Sequence, residues 1–305
     1  MYTFLLHSAS AVALLVWGAY MVKTGILRTF GEALRSWLAT RLSNRFAGFA
    51  AGMGLAMLLQ SSTAASLLVA SLQAGGLVST AAALAAVLGA DLGSALAARI
   101  LTLNISSLIP ILLIAGTFLF LRRMEKREGQ FGRMLLGFAF VLLALQSIMA
   151  STEPMRDSPI ILETLAHLPE HPCLAAAVGI VCAVLFFSSL AVVAVTAAAT
   201  ASGLLPASAA LWVVLGANFG SALLAAAATA GASKAARKAP LGNFFFRVGG
   251  FAAGAAILYF IPAAGSVFAS LGDPADGVIL FHVVYNTVIG AVCLLYTSPS
   301  PRDGA

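Results

Sequence analysis

Apolar stretches long enough to cross a bilayer follow one another from one end of this 305-residue chain to the other. Runs of about twenty apolar residues select membrane-spanning helices. Hydrophobic residues make up 61% of the chain and charged residues 9%, with a mean hydropathy of +1.00. A soluble domain carries about 45–50% apolar and about 25% charged residues. A soluble enzyme, a nucleic-acid binder and a disordered chain are therefore excluded. The fold class is all-α, a polytopic membrane protein.

Charge is placed rather than spread. The net charge is +6, and Lys and Arg cluster in residues 23–45, 122–133 and 234–238. Residues 151–172 instead hold Glu153, Asp157, Glu163 and Glu170 against the single Arg156. The positive-inside bias puts the basic loops in the cytoplasm and the acidic stretch outside. This asymmetry accounts for the basic excess without nucleic acid. Cys173, Cys182 and Cys293 are not at metal-ligand spacing, so neither a disulfide framework nor a metal site follows. Residues 1–22 lack a basic leader, and Lys23 comes after the apolar run, so a retained first helix is expected rather than a cleaved signal.

The chain repeats itself. Gln60-Ser61-Ser62-Thr63-Ala64 returns as Phe187-Ser188-Ser189-Leu190-Ala191, and Gly89-Ala90-Asp91-Leu92-Gly93-Ser94 returns as Gly216-Ala217-Asn218-Phe219-Gly220-Ser221. Both pairs lie 127 positions apart, and the same offset superposes Gly52 on Gly179 and Gly76 on Gly203. One ungapped offset over roughly 45 residues indicates a duplication. The flanking segments 46–59 and 63–75 are too short to span, as are 173–186 and 190–203. Each pair is expected to form a re-entrant helical hairpin, with the serines at its tip.

Threading the basic loops to one side gives a helix over 4–22 and a basic amphipathic surface helix over 23–45. Further helices are expected over 77–99, 107–121, 131–150, 205–230, 241–261 and 277–296. The two hairpins then enter from opposite faces. Inverted-topology repeats of this kind belong to secondary transporters with a midplane site between the halves. The expected units are repeat one over 1–130 with its hairpin at 46–75, repeat two over 131–261 with its hairpin at 173–203, and an additional transmembrane helix over 262–292. Residues 293–305 change character abruptly and resemble adapter read-through. This tail is expected to be non-native, and the natural chain to continue further.

Polar side chains in hydrocarbon are costly unless they are satisfied or used. Gln60, Ser61, Ser62 and Thr63 are four in succession, and at the tip of a broken helix pair they could surround an oxyanion or a sodium ion. Ser188 and Ser189 would supply the other half. Serine also packs helices closely, but two pairs at equivalent repeat positions favour a site. Asp91 is an intramembrane acid whose repeat counterpart is the neutral Asn218. It reads as a cation ligand or proton carrier, or alternatively as the partner of Arg99 or a residue near water. Gly89, Gly93, Gly216 and Gly220 are expected to pack helices. Gln73 reads as a cap. His282 and Asn286, four apart on one helix face, read as lining the site or, by preference, as bonding between helices. Arg247 reads as a snorkelling residue without a site role. An intramembrane hydrolase using Ser61 or Ser62 with His282 lacks a G-x-S-x-G or H-E-x-x-H motif, so the chain is not read as an enzyme.

The duplicated serine tips, the paired G-A-D/N-x-G-S segments and the later Phe281-His282-x-x-x-Asn286 resemble the type II sodium/phosphate cotransporter family, which includes bacterial members, over nearly all of residues 4–292. The resemblance implies sodium-coupled import of inorganic phosphate across the bacterial inner membrane, with no cofactor beyond sodium as coupling ion. Its site residues would be Gln60, Ser61, Ser62, Thr63, Ser188 and Ser189, to which the intramembrane position of Asp91 adds that residue and its repeat counterpart Asn218. The chain departs from the family at Phe187, where Gln is expected, at Leu190, where a hydroxyl is expected, and at Asp91, where Asn is expected. Where a His/Asn helix motif is expected after repeat two, the chain has Asn243 and Arg247. These departures leave open a non-transporting phosphate sensor or scaffold, or a transporter of another small anion. Bacterial relatives often add a cytoplasmic regulatory domain, which truncation would have removed here.

Overall fold

A computed structural model describes residues 2–42, 44–101, 106–122, 126–152, 163, 165–270 and 272–296. Among them are twelve α-helices and no strand. In chain order they are α1 Tyr2–Arg41, α2 Arg45–Leu59, α3 Ser62–Ala74, α4 Thr80–Leu101, α5 Ile109–Arg122 and α6 Arg127–Thr152. They continue with α7 Pro172–Leu185, α8 Ser189–Ala201, α9 Ala207–Ala228, α10 Lys234–Phe260, α11 Pro262–Ala269 and α12 Pro274–Tyr296. Six of the helices, α1, α4, α6, α9, α10 and α12, are long and apolar enough to cross a membrane. Residues 153–162 and 164 of the expected acidic stretch and all of residues 297–305 lie outside the described residues.

The first helix corrects one expectation. The chain does not break at Lys23 into a spanning helix and a surface helix; α1 runs unbroken for 40 residues. A charged residue is no helix breaker. A close seam with α6 supports the central part of α1, because the α carbons of Gly18 and Gly25 approach the backbone of Gly137 and Gln130. Pro262 opens the short helix α11, which was not expected.

The buried centre is formed by α4 and α9, the two helices carrying the repeated G-A-D/N segment. Each is locked to the first arm of its hairpin by backbone contact. A methyl group on Gly52 would collide with the Ala86 carbonyl, and one on Gly89 with the Phe49 carbonyl. In the second copy Gly179 meets Val213 and Gly216 meets Ala176 in the same way, and Gly93 and Gly220 extend the two seams. The expected packing role of these glycines is therefore borne out. Large apolar side chains such as Ile114, Phe118, Leu121, Phe260 and Leu295 stay exposed on the outer helices, as suits a surface facing lipid rather than water.

The repeat extends to backbone conformation. Gln60 and Phe187 both have φ 52°, in the left-handed region. Ser61 (φ −159°, ψ 111°) and Ser188 (φ −161°, ψ 113°) cap the helices that follow. Gly76 and Gly203 share a positive φ, at 70° and 71°. At these positions the 127-residue offset thus matches local backbone conformation as well as sequence.

Candidate functional site

The hairpin tips are built by helix capping. Helix α2 ends at Gln60, whose N–H donates back to the Ala56 carbonyl. The left-handed turn there lets Ser61 start α3 at once, its Oγ accepting from the Ala64 N–H at 3.1 Å. Ser188 does the same for the Ala191 N–H at 3.1 Å. A capping hydroxyl spends a lone pair on the helix and keeps its own O–H to donate.

The two tips meet. Gln60, Ser61, Ser62, Thr63, Ser188 and Ser189 line one gap, together with Ser94 and Leu190. The gap is closed tightly enough to leave no room for a water molecule. It is flanked by the first residues of α3 and α8, so the positive ends of both helices border it. Gln60 is 4% exposed, and its Oε1 has no partner among the described residues. Ser94 follows Asp91 by three residues and donates to its carbonyl at 2.9 Å. Sequence reasoning placed it in a packing motif and missed its position at the gap.

On one side the tips open onto a vestibule of about 1160 Å³ along α1, lined by Val12, Trp17, Tyr20 and Lys23 and floored by Gln60, Ser61, Phe187 and Ser188. No acid pairs with Lys23 among the described residues. Its cationic head beside the serine tips was also missed, because Lys23 was counted only among the basic loop residues.

Asp91 and Asn218 are not at the gap. They belong to a second polar group, fully buried among α4, α9, α10 and α12, which corrects two readings. Arg247 does not snorkel: it is 1% exposed, and its Nη2 lies 2.7 Å from Asp91 Oδ2. Its Nε donates to the same oxygen at 3.1 Å. Asp91 is not paired with Arg99, which bonds instead to Asp276 at the surface. Starting α10 at Lys234 puts Arg247 about 20 Å along the helix, too deep for its head to return to water. Asn243, one turn earlier, donates to Asp91 at 2.9 Å.

The duplicate arrangement uses neutral groups. Asn218 lies 3.0 Å from His282 Nδ1, and Asn286 donates to Asn218 Oδ1 at 3.0 Å. His282 and Asn286 therefore bond between helices as expected. Arg247 joins the two arrangements, donating through Nη1 to Asn218 Oδ1 at 3.3 Å and through Nη2 to Asn286 Oδ1 at 2.5 Å, with its guanidinium 5.6 Å from the Tyr285 ring centroid. Gln73 does not cap α3 at its end; its Nε2 bonds Thr80 Oγ1 at the start of α4 at 3.0 Å. Among the described residues no group of three His, Cys, Asp or Glu could hold a metal ion.

Comparison with known proteins matches the family model described as Na+/Pi-cotransporter over residues 14–150 and 159–272. The chain belongs to the Na+/Pi-cotransporter family. This is a family of transporters rather than enzymes, and the chain is a multi-pass membrane protein. It is 42% identical over 299 residues to the "Putative inorganic phosphate export protein YjbB" of Escherichia coli K12, covering 98% of this chain and 54% of that protein. The protein of the same name in Salmonella typhimurium is 42% identical over 285 residues, 93% of this chain and 52% of the relative. An uncharacterized Bacillus subtilis protein, YqeW, is 22% identical over 282 residues, 92% of this chain and 91% of its own. The chain spans about half the length of the YjbB relatives it matches. No solved structure matches.

Proposed function

We propose that this Na+/Pi-cotransporter family member binds inorganic phosphate between the two hairpin tips and carries it across the bacterial inner membrane by alternating access. The observation that carries the reading is that serines 127 positions apart line one gap. The five hydroxyls of the two tips and the two helix N-termini supply the donors that an oxyanion needs once it has left water. A gap too narrow for water cannot admit phosphate, so the tips must part to load it. In this reading the hairpins re-enter the bilayer from opposite faces, and sodium binds with phosphate at the tips.

Direction is the open half of the proposal. Sodium coupling draws phosphate inward wherever the sodium gradient points inward, whereas the name of the YjbB relatives says export and favours outward movement. Proteoliposomes loaded with labelled phosphate, under a sodium gradient of either sign, separate these cases. Phosphate flux that reverses with the sodium gradient supports coupling. Flux that ignores sodium keeps phosphate transport and removes the coupling. Flux no greater than in empty liposomes rejects transport.

A phosphate sensor is the second reading, favoured by the second tip: Phe187 is 69% exposed and turned to the vestibule, while the apolar Leu190 lines the gap. A sensor binds phosphate in calorimetry yet shows no flux.

A further inference from the structure

Three oxygens from three helices converge on one buried cation that belongs to the protein. Asp91 Oδ2 from α4, Asn218 Oδ1 from α9 and Asn286 Oδ1 from α12 all accept from the Arg247 guanidinium, at distances between 2.5 and 3.3 Å. Asn243 Oδ1, in the same cluster, has no partner among the described residues. A carboxylate with several amide oxygens, dry and drawn from different helices, is the donor set of a small hard cation. Here an arginine head fills it.

The two charges arrive together. Asp91 stands where the duplicate helix has the neutral Asn218, and Arg247 stands one turn after Asn243 as Asn286 stands one turn after His282. Either charge alone would be stranded in an apolar interior, while the two neutralise each other. The second copy keeps its place without a charge.

We propose that Arg247 is a tethered cation: its guanidinium occupies an oxygen cage that would otherwise take a free monovalent cation, so the protein needs no ion from solution at this place. The inference rests on the transport reading only for its consequence, which is one coupling ion fewer per phosphate. Sodium bound at the tips is a separate matter. The occupant of the cage is fixed by a covalent stem and cannot be released on either side of the membrane.

The test uses the full chain in detergent and needs no transport. Thermal unfolding is followed for the wild type, for Arg247→Ala and for Asp91→Ala with Arg247→Ala, each in choline chloride, in sodium chloride and in choline chloride with low-millimolar guanidinium. Arg247→Ala is expected to melt several degrees higher with guanidinium or sodium than with choline, by mass action on the emptied cage. The wild type and the double variant are expected to show no such difference. Equal melting of Arg247→Ala in all three salts overturns the proposal, as does an equal response from the double variant. Should Arg247→Ala fail to fold, Arg247→Gln keeps Asp91 and the other cage oxygens while filling part of the vacated space. This variant is expected to melt higher in sodium than in choline, and identical melting counts against the cage. Where phosphate flux is measurable, guanidinium is expected to restore that of Arg247→Ala from a loss of about tenfold or more. Absence of flux in the wild type would reject the transport reading and leave the melting result to decide the cage.

Discussion

Gln60 and Phe187 hold the same backbone angle at the same point of two hairpins, yet their side chains part company. Gln60 is 4% exposed and lines the gap, whereas Phe187 is 69% exposed and lines only the vestibule beside α1. A left-handed φ costs any residue with a Cβ about 1 kcal/mol or more, and both tips bear it because the turn must be tight enough for a serine to cap the next helix at once. The scaffold of the two tips is thus held in common, and their chemistry is not. Duplicated architecture constrains where a backbone goes far more strictly than what it presents there. The buried polar cluster repeats the lesson, with the charged pair of Asp91 and Arg247 answered by the neutral Asn218, His282 and Asn286.

The sharpest way to break the comparison is to make the halves alike. Asp91→Asn copies the second repeat and leaves Arg247 buried without its carboxylate. The expected loss is about 3–5 kcal/mol of stability, read as a lowered melting temperature in detergent; an unchanged melting temperature would show the halves to be interchangeable at this place. Phe187→Gln works in the other direction by giving the second tip an amide. A hydrogen bond to a charged ligand contributes about 1.5–3 kcal/mol, so phosphate affinity measured by calorimetry is expected to rise by about tenfold or more. No gain would mean that the second tip does not face the anion. The smallest effect concerns approach rather than binding. Lys23→Met removes the vestibule cation and is expected to raise KM for phosphate about two- to fivefold at low ionic strength, with kcat unchanged and the difference fading as salt is added.

The fold was legible because its signals are long-range and redundant. Hydropathy marked the spanning helices, and a constant 127-residue offset marked the paired tips, so the convergence of Ser61 and Ser188 could be expected before any coordinates. What escaped was whatever depended on how far a helix continues past a charged residue. Lys23 looked like a boundary, and α1 ran through it. Arg247 looked like a residue near water because basic residues precede it, but those residues already form the first turn of α10. The pairing of Asp91 with Arg247 did have a signal. Both depart from the expected family pattern, with opposite charges, and two such departures in a low-dielectric interior are cheapest when they touch. Ser94 carried none, since its motif reads equally well as a packing seam.

The backbone seams between Gly52 and Ala86 and between Gly179 and Val213 have a mechanical corollary. The first arm of each hairpin is bolted to its own central helix, α2 to α4 and α7 to α9, whereas the second arms lean elsewhere as well, α3 on α10 and α8 on α12. Each elbow therefore rests on more than one neighbouring helix, with a single left-handed residue between its two arms. The spacing of the serines is thus set by how the helices beneath both arms pack against one another.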